Sequence, residues 1–128
     1  MALVDIAVRQ ALLSHCRQRV GAVVTAGPRI LALSPNLRRN DPAVDHRHAT
    51  FHAEEAAVRR ARRTVGAEVW VGRVNRAGRP VLARPCPRCQ LTLARAGITR
   101  AHYTTDHAGV ETLIIPVRTQ GERYRCFV

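Results

Sequence analysis

The sequence contains no lysine: all twenty-one basic residues are arginine, set against nine acidic ones. It also lacks any apolar run near the ~18 residues of a membrane span, which excludes a transmembrane helix. Met1-Ala2-Leu3-Val4-Asp5 leads straight into mixed sequence, without the basic region, apolar stretch and cleavage site of a secretory leader. No internal repeat and no linker divides the chain. A hydrophobic content of 46% in 128 residues is enough for one core. The expectation is a single soluble, cytoplasmic domain over residues 1–128 with no membrane partner.

What the sequence has in excess is positive charge. A formal net charge of +12 favours phosphate-bearing partners such as nucleic acid or nucleotides. An all-arginine bias also follows from a GC-rich coding sequence, so charge alone does not name a substrate. The four cysteines do not look like a disulfide framework. Cys86 and Cys89 are spaced C-x-x-C, whereas Cys16 and Cys126 stand alone as ordinary small apolar residues. That pattern fits metal or redox chemistry in a reducing compartment.

Apolar residues recur at helical spacing over residues 4–13, predicting a first helix. Residues 20–25 and 29–34 read as short buried strands, joined into a hairpin by Ala26-Gly27-Pro28. Residues 36–50 are polar, contain Asp41-Pro42, His46 and His48, and read as a loop of a length that is often functional. Residues 53–65 predict a second helix with Gly66 as its stop. A third strand over 68–74 ends at Asn75-Arg76-Ala77-Gly78, and residues 80–83 form a short strand. Residues 86–96 predict a third helix stopped by Gly97, with Pro85 and Pro87 near its start, where proline is tolerated. Residues 99–104 and 110–117 are the fourth and fifth strands, separated by Asp106-His107-Ala108-Gly109. A parallel crossover needs about a dozen residues or more, so these last two strands are predicted to be antiparallel. The order describes a layered α/β domain with helices on a five-stranded sheet.

The chemistry sits at two helix starts. His52-Ala53-Glu54 opens one, and Pro85-Cys86-Pro87-Arg88-Cys89 opens the other. Cysteines three apart at a helix start project on one face, and a histidine at another helix start can meet them as a third ligand for zinc. Three protein ligands leave a fourth position for water, the arrangement of a catalytic rather than a structural site. Glu54 lies two residues beyond the histidine, where it can carry protons without coordinating the metal. A C-x-x-C alone could equally be redox or structural.

The pair H-x-E and P-C-x-x-C, in this order, resembles the cytidine deaminase-like superfamily of zinc-dependent nucleobase deaminases. Arg19-Val20-Gly21-Ala22-Val23-Val24, Ser34-Pro35-Asn36 and Ala96-Gly97-Ile98-Thr99-Arg100 follow the same order, so the likeness runs from about Arg19 to Val117. The resemblance implies a three-layer α/β/α fold with a five-stranded mixed sheet, and zinc held by His52, Cys86 and Cys89. It assigns the proton shuttle to Glu54. It further implies that Asn36 bonds the sugar or target nucleotide, that the Ala53 N–H meets the pyrimidine carbonyl, and that the Arg84 carbonyl accepts from the exocyclic amine. Phe51, Tyr103 and His107 stand at places where the family carries a base-stacking aromatic.

Each of these residues has a plainer reading. Asn36 beside Pro35 could form only a turn. His46 and His48 are loop histidines, or rim contacts to substrate. Arg59, Arg60, Arg62 and Arg63 form a solvated helix face, or track phosphates. Histidine rather than cysteine at position 52 resembles the deoxycytidylate and polynucleotide branches. Pro85-Cys86-Pro87-Arg88-Cys89 resembles small phage and toxin-like deaminases. With the basic excess, the reading is hydrolytic deamination of cytosine in a polynucleotide, single-stranded DNA foremost. The alternatives are a deaminase of free deoxycytidylate or cytidine, and a non-catalytic zinc module that binds nucleic acid. Glu54 argues against the last. A short link between the final strands would leave the pocket beside Cys86 open to a longer strand.

Overall fold

The computed structural model describes residues 2–38 and 50–116. His46, His48 and everything from residue 117 onward lie outside the described residues, and of Arg38, Thr50 and Phe51 only the backbone is described. The elements in order are α1 (Leu3–Leu12), β1 (Arg19–Ala26), β2 (Arg29–Pro35), β3 (Leu37–Arg38), β4 (Thr50–Phe51), α2 (Ala53–Ala61), β5 (Glu68–Val74), β6 (Pro80–Val81), α3 (Pro87–Arg95), β7 (Arg100–Thr104) and β8 (Val110–Ile114).

The five long strands form one mixed sheet in the order β2-β1-β5-β7-β8, and β6 adds a sixth strand beside β5. Only β5 and β7 are parallel, and the helix that a parallel connection requires is α3. The β7–β8 pair is antiparallel, from Arg100 opposite Ile114 to Thr104 opposite Val110, as its short link dictates. In that link Ala108 takes the left-handed conformation, φ 58. Thr105 closes the turn by donating its N–H to the Gly109 carbonyl at 3.1 Å.

The period-2 alternation of the strands divides the helices between two faces. Ala22 and Val24 of β1 with Val69 and Val71 of β5 point to one side, where they pack with Ala53 and Ala57 of α2 and Leu93 of α3. Gly21 and Gly72, opposite one another in the β1–β5 register, point to the other. A Cβ on Gly21 would stand 2.2 Å from the Ala7 carbonyl oxygen, so α1 lies directly on this glycine pair. The result is three layers, α1 over one face and α2 with α3 over the other.

Three boundaries differ most from the sequence reading. The segment after Asn36 is not all loop: Leu37 pairs with Phe51 in a two-strand ladder. The last strand stops at Ile114. The second helix ends at Ala61, well before Gly66, because Thr64 Oγ1 donates to the Ala96 carbonyl at 2.7 Å and Gly66 N–H to the Gly97 carbonyl at 2.8 Å. Tertiary hydrogen bonds there override a run with good local helix propensity. The third helix does stop at Gly97, φ 79, in a Schellman arrangement with Ile98 N–H on the Leu93 carbonyl at 3.0 Å. Among the described residues, no helix is long and apolar enough to cross a membrane.

Candidate active site

His52 is the N-cap of α2 and Cys86 the N-cap of α3, each with extended backbone, and Pro87 occupies the first turn of α3. The two helices pack beside each other, so their N-terminal ends bring His52, Cys86 and Cys89 together. Their ligand atoms all lie within 4.8 Å of one another. His52 Nδ1 stands 3.0 Å from Cys89 Sγ and 3.8 Å from Cys86 Sγ. Tetrahedral zinc with ordinary Zn–N and Zn–S bonds sets such nitrogen–sulfur spacings at about 3.6 Å, so the group fits zinc in both spacing and donor chemistry.

The electrostatics prepare the same ligands. The Cys86 thiol is pulled down to about 3 by hydrogen bonding from Cys89 and then His52. His52 is raised to about 9, chiefly by bonding to Cys86, with burial opposing. Bonding to Cys86 first, and burial second, push the Cys89 thiol up. Glu54 follows in the first turn of α2, 5% exposed, and burial raises its carboxyl above the ordinary value. Ala53, whose N–H opens the helix, is fully buried.

Asn36 sits one step beyond the Leu37–Phe51 pair, a register that sets it opposite His52. Its side chain is also structural. Oδ1 accepts from Ser14 Oγ at 2.5 Å and from the Val20 N–H at 3.1 Å, and Nδ2 donates to the Gln18 carbonyl at 2.6 Å. Among the described residues nothing accepts the second Nδ2 proton, so both readings of this residue remain compatible with its geometry. The Ser14 and Gln18 partners left no mark in the sequence, because their contact spans the α1–β1 connection.

Arg84, two residues before Cys86, donates from Nη1 to the Tyr103 hydroxyl at 3.1 Å, and Tyr103 in turn donates to Glu111 Oε2 at 3.1 Å. Tyr103 is only 3% exposed, with its ring in the core, whereas His107 lies exposed in the β7–β8 turn. Arg88 reaches Glu55 at 3.4 Å across the two helices, and Gln90 Nε2 donates to the Pro85 carbonyl at 2.9 Å. The sequence reading missed these supports. Glu55 directly after Glu54, and Arg88 inside the cysteine motif, were the available signals.

Comparison with known proteins agrees with this geometry. No curated protein matches the chain in sequence. Among solved structures, the chain is similar to the dCMP deaminase of cyanophage S-TIM5 in apo form, with 24% identity, 78% of this chain and 77% of that one covered, and a TM-score of 0.62. The same enzyme in complex with dCMP and dUMP gives 24% identity, 78% and 76% coverage, and a TM-score of 0.60. A cytidine deaminase from Burkholderia pseudomallei gives 13% identity, 90% and 94% coverage, and a TM-score of 0.62. The profile of the cytidine and deoxycytidylate deaminase zinc-binding region matches residues 1–105, spanning both helix starts that carry the histidine and the two cysteines. The chain therefore belongs to the zinc-dependent cytidine and deoxycytidylate deaminase family.

Proposed function

We propose that the chain is a single deaminase domain over residues 1–128 that hydrolyses cytosine to uracil in a polynucleotide, with single-stranded DNA as its substrate. The observation that carries the polynucleotide reading is the charge of +12, borne entirely by arginine. An unpaired strand also spares the enzyme most of the few kcal/mol needed to take a base out of a stack.

In this reading His52, Cys86 and Cys89 hold the zinc, which when bound supplies a nucleophilic water at neutral pH. Glu54 would take a proton from the attacking water and deliver it to the ring nitrogen, then pass the proton of the added hydroxyl to the amine, which leaves as ammonia as the C–N bond breaks. Water adds and ammonia leaves, so the reaction needs no redox partner. Burial suits Glu54 to the task, since raising its proton affinity brings acceptance and donation closer in free energy. The Ala53 N–H and the Arg84 carbonyl bracket the pyrimidine edge, and Asn36 uses its second amide proton on the nucleotide. Arg84, tethered to Tyr103 next to the cysteine motif, adds positive charge near the same site.

A second reading, deamination of free deoxycytidylate, is favoured by the likeness to a phage enzyme solved with dCMP and dUMP. A panel of single-stranded DNA, duplex DNA, RNA, dCMP and cytidine, with products separated by chromatography, decides between them. The polynucleotide reading expects uracil in single-stranded DNA at subsaturating concentration, with a rate that falls steeply with salt. Turnover of dCMP alone, with shallow salt dependence, would establish the second reading.

A further inference from the structure

The zinc ligands gather at the N-terminal ends of α2 and α3, and the C-terminal ends of the same helices hold a second feature. An open cleft of about 590 Å³ is lined there by Arg62, Arg63, Thr64, Val65, Arg95 and Ala96. Each helix has nine residues, so at 1.5 Å per residue the cleft lies roughly 14 Å from the zinc-binding caps. Three arginines and no acidic residue belong to its lining.

The backbone that presents them is unusual. Arg62 has φ 65 and ψ −61, and the Arg63 N–H donates to the Ala61 carbonyl at 2.7 Å. This is a γ-turn of the positive-φ kind, rare and strained for a residue with a Cβ. The surroundings hold it in place. Thr64 Oγ1 and the Gly66 N–H bond the carbonyls of Ala96 and Gly97, tying the link after α2 to the link after α3. At Gly97 a Cβ would stand 2.8 Å from the Val65 Cα, so the two links are also packed tightly.

Arginine at a helix C-terminus complements the helix dipole, an effect that needs no strained backbone. It does not account for a strained turn that sets two consecutive arginines beside a third. Among the described residues, no carboxylate pairs with Arg62 or Arg63. Arg62 and Arg63, consecutive and exposed at this cleft, are thus two cations that an anion from outside the chain can meet.

We propose that this cleft is a phosphate-binding site, separate from the zinc site, which takes the phosphodiester backbone of a nucleic-acid strand. Its shared chemistry with a free phosphate group is a set of oxyanions received by guanidinium donors. The inference does not depend on which cytosine-bearing molecule is deaminated, since it concerns binding remote from the zinc.

The test uses zinc-loaded protein and a short labelled oligothymidylate, which offers no cytosine, with binding followed by fluorescence anisotropy across a salt series. Inorganic pyrophosphate serves as the free-phosphate probe, and cytidine turnover and Tm are measured on every variant. Arg62→Gly removes the guanidinium and relieves the strained turn. It is expected to weaken strand binding about fivefold and to lower the slope of log K against log salt by about one, with cytidine turnover kept and Tm equal or higher. Arg63→Gln is expected to weaken binding similarly, and Arg62→Lys to retain most of it. Strand binding unchanged in both Arg62→Gly and Arg63→Gln would overturn the proposal. So would loss of binding accompanied by a fall in Tm and in cytidine turnover, which would make the arginines structural. If the variants lose pyrophosphate binding but keep strand binding, the strand assignment fails and a free phosphate is the ligand.

Discussion

On the α2–α3 face of the sheet, side chains fill the space beneath the helices, and at one end four of them converge as His52, Glu54, Cys86 and Cys89. On the α1 face the decisive residues next to the helix have no side chain at all: Gly21 and Gly72 let α1 settle on bare backbone. Further along that face, past α1, Trp70 stacks on His102 at 4.1 Å, and His102 bonds Glu68 and Thr112 across neighbouring strands. The contrast teaches that one face is built around chemistry that strains its groups, and the other around close approach. Substitutions should separate activity from stability according to the face they touch.

The largest separation is expected at Glu54→Gln. If Glu54 carries the proton as proposed, its loss should lower turnover by about 10²–10⁴-fold with zinc retained. The folded-state carboxyl pKa is raised above its ordinary value of 4.5, so its favourable contribution is complete below pH 4.5 and is lost as pH rises through the folded value. The neutral glutamine carries no such burial cost, so Glu54→Gln should be at least as stable as the parent chain in urea unfolding. Near-normal turnover would remove Glu54 from the mechanism.

The metal site sharpens the chemical side through pH. His52, raised to about 9, and Cys89, whose thiol is pushed up, must each lose a proton to bind zinc, whereas Cys86, at about 3, is already a thiolate. Zinc affinity should therefore fall as pH drops below 9, by about a hundredfold per pH unit, with two protons released per zinc. A competitive-chelator titration between pH 6 and 8 measures the slope. A slope near zero would contradict the ligand protonation states.

Gly21→Ala tests the opposite face. The added Cβ meets the Ala7 carbonyl oxygen at 2.2 Å and Ala11 N at 2.4 Å, both backbone atoms of a helix. Overpacking of this kind should cost about 3 kcal/mol in urea unfolding while leaving the activity of the folded fraction unchanged. The smallest effect belongs to the bare end of that face, where Thr112 is exposed. Thr112→Ala should change stability by no more than about 0.5 kcal/mol, despite its 2.7 Å contact with His102.

The site was legible because its chemistry needs particular residue types at short spacing. His52 with Glu54, and Cys86 with Cys89, each fall within one helical turn, so spacing alone placed each pair on a common start. The antiparallel β7–β8 pair was legible for a similar local reason, since a link as short as Asp106-His107-Ala108-Gly109 cannot hold a crossover. The early end of α2 was not. Residues 62–65 have helix-forming neighbours, and only bonds to Ala96 and Gly97, some thirty residues away, pull them out of the helix. The partners of Asn36 were hidden likewise, since Ser14 and Gln18 reach it only after β1 and β2 have paired.

By itself the sequence marked out the His52, Cys86 and Cys89 group that a metal ion fits, the glutamate beside it, the α/β layering and the antiparallel direction of the last strand pair, because each is set by residue chemistry or chain length over a few positions. The tertiary structure alone decided that the two helix starts meet within ligand distance, that Tyr103 bridges Arg84 and Glu111, and that Arg62, Arg63 and Arg95 share one cleft. Those outcomes depend on strand register and helix docking, which sum many weak contacts between distant residues and leave no short pattern in the chain.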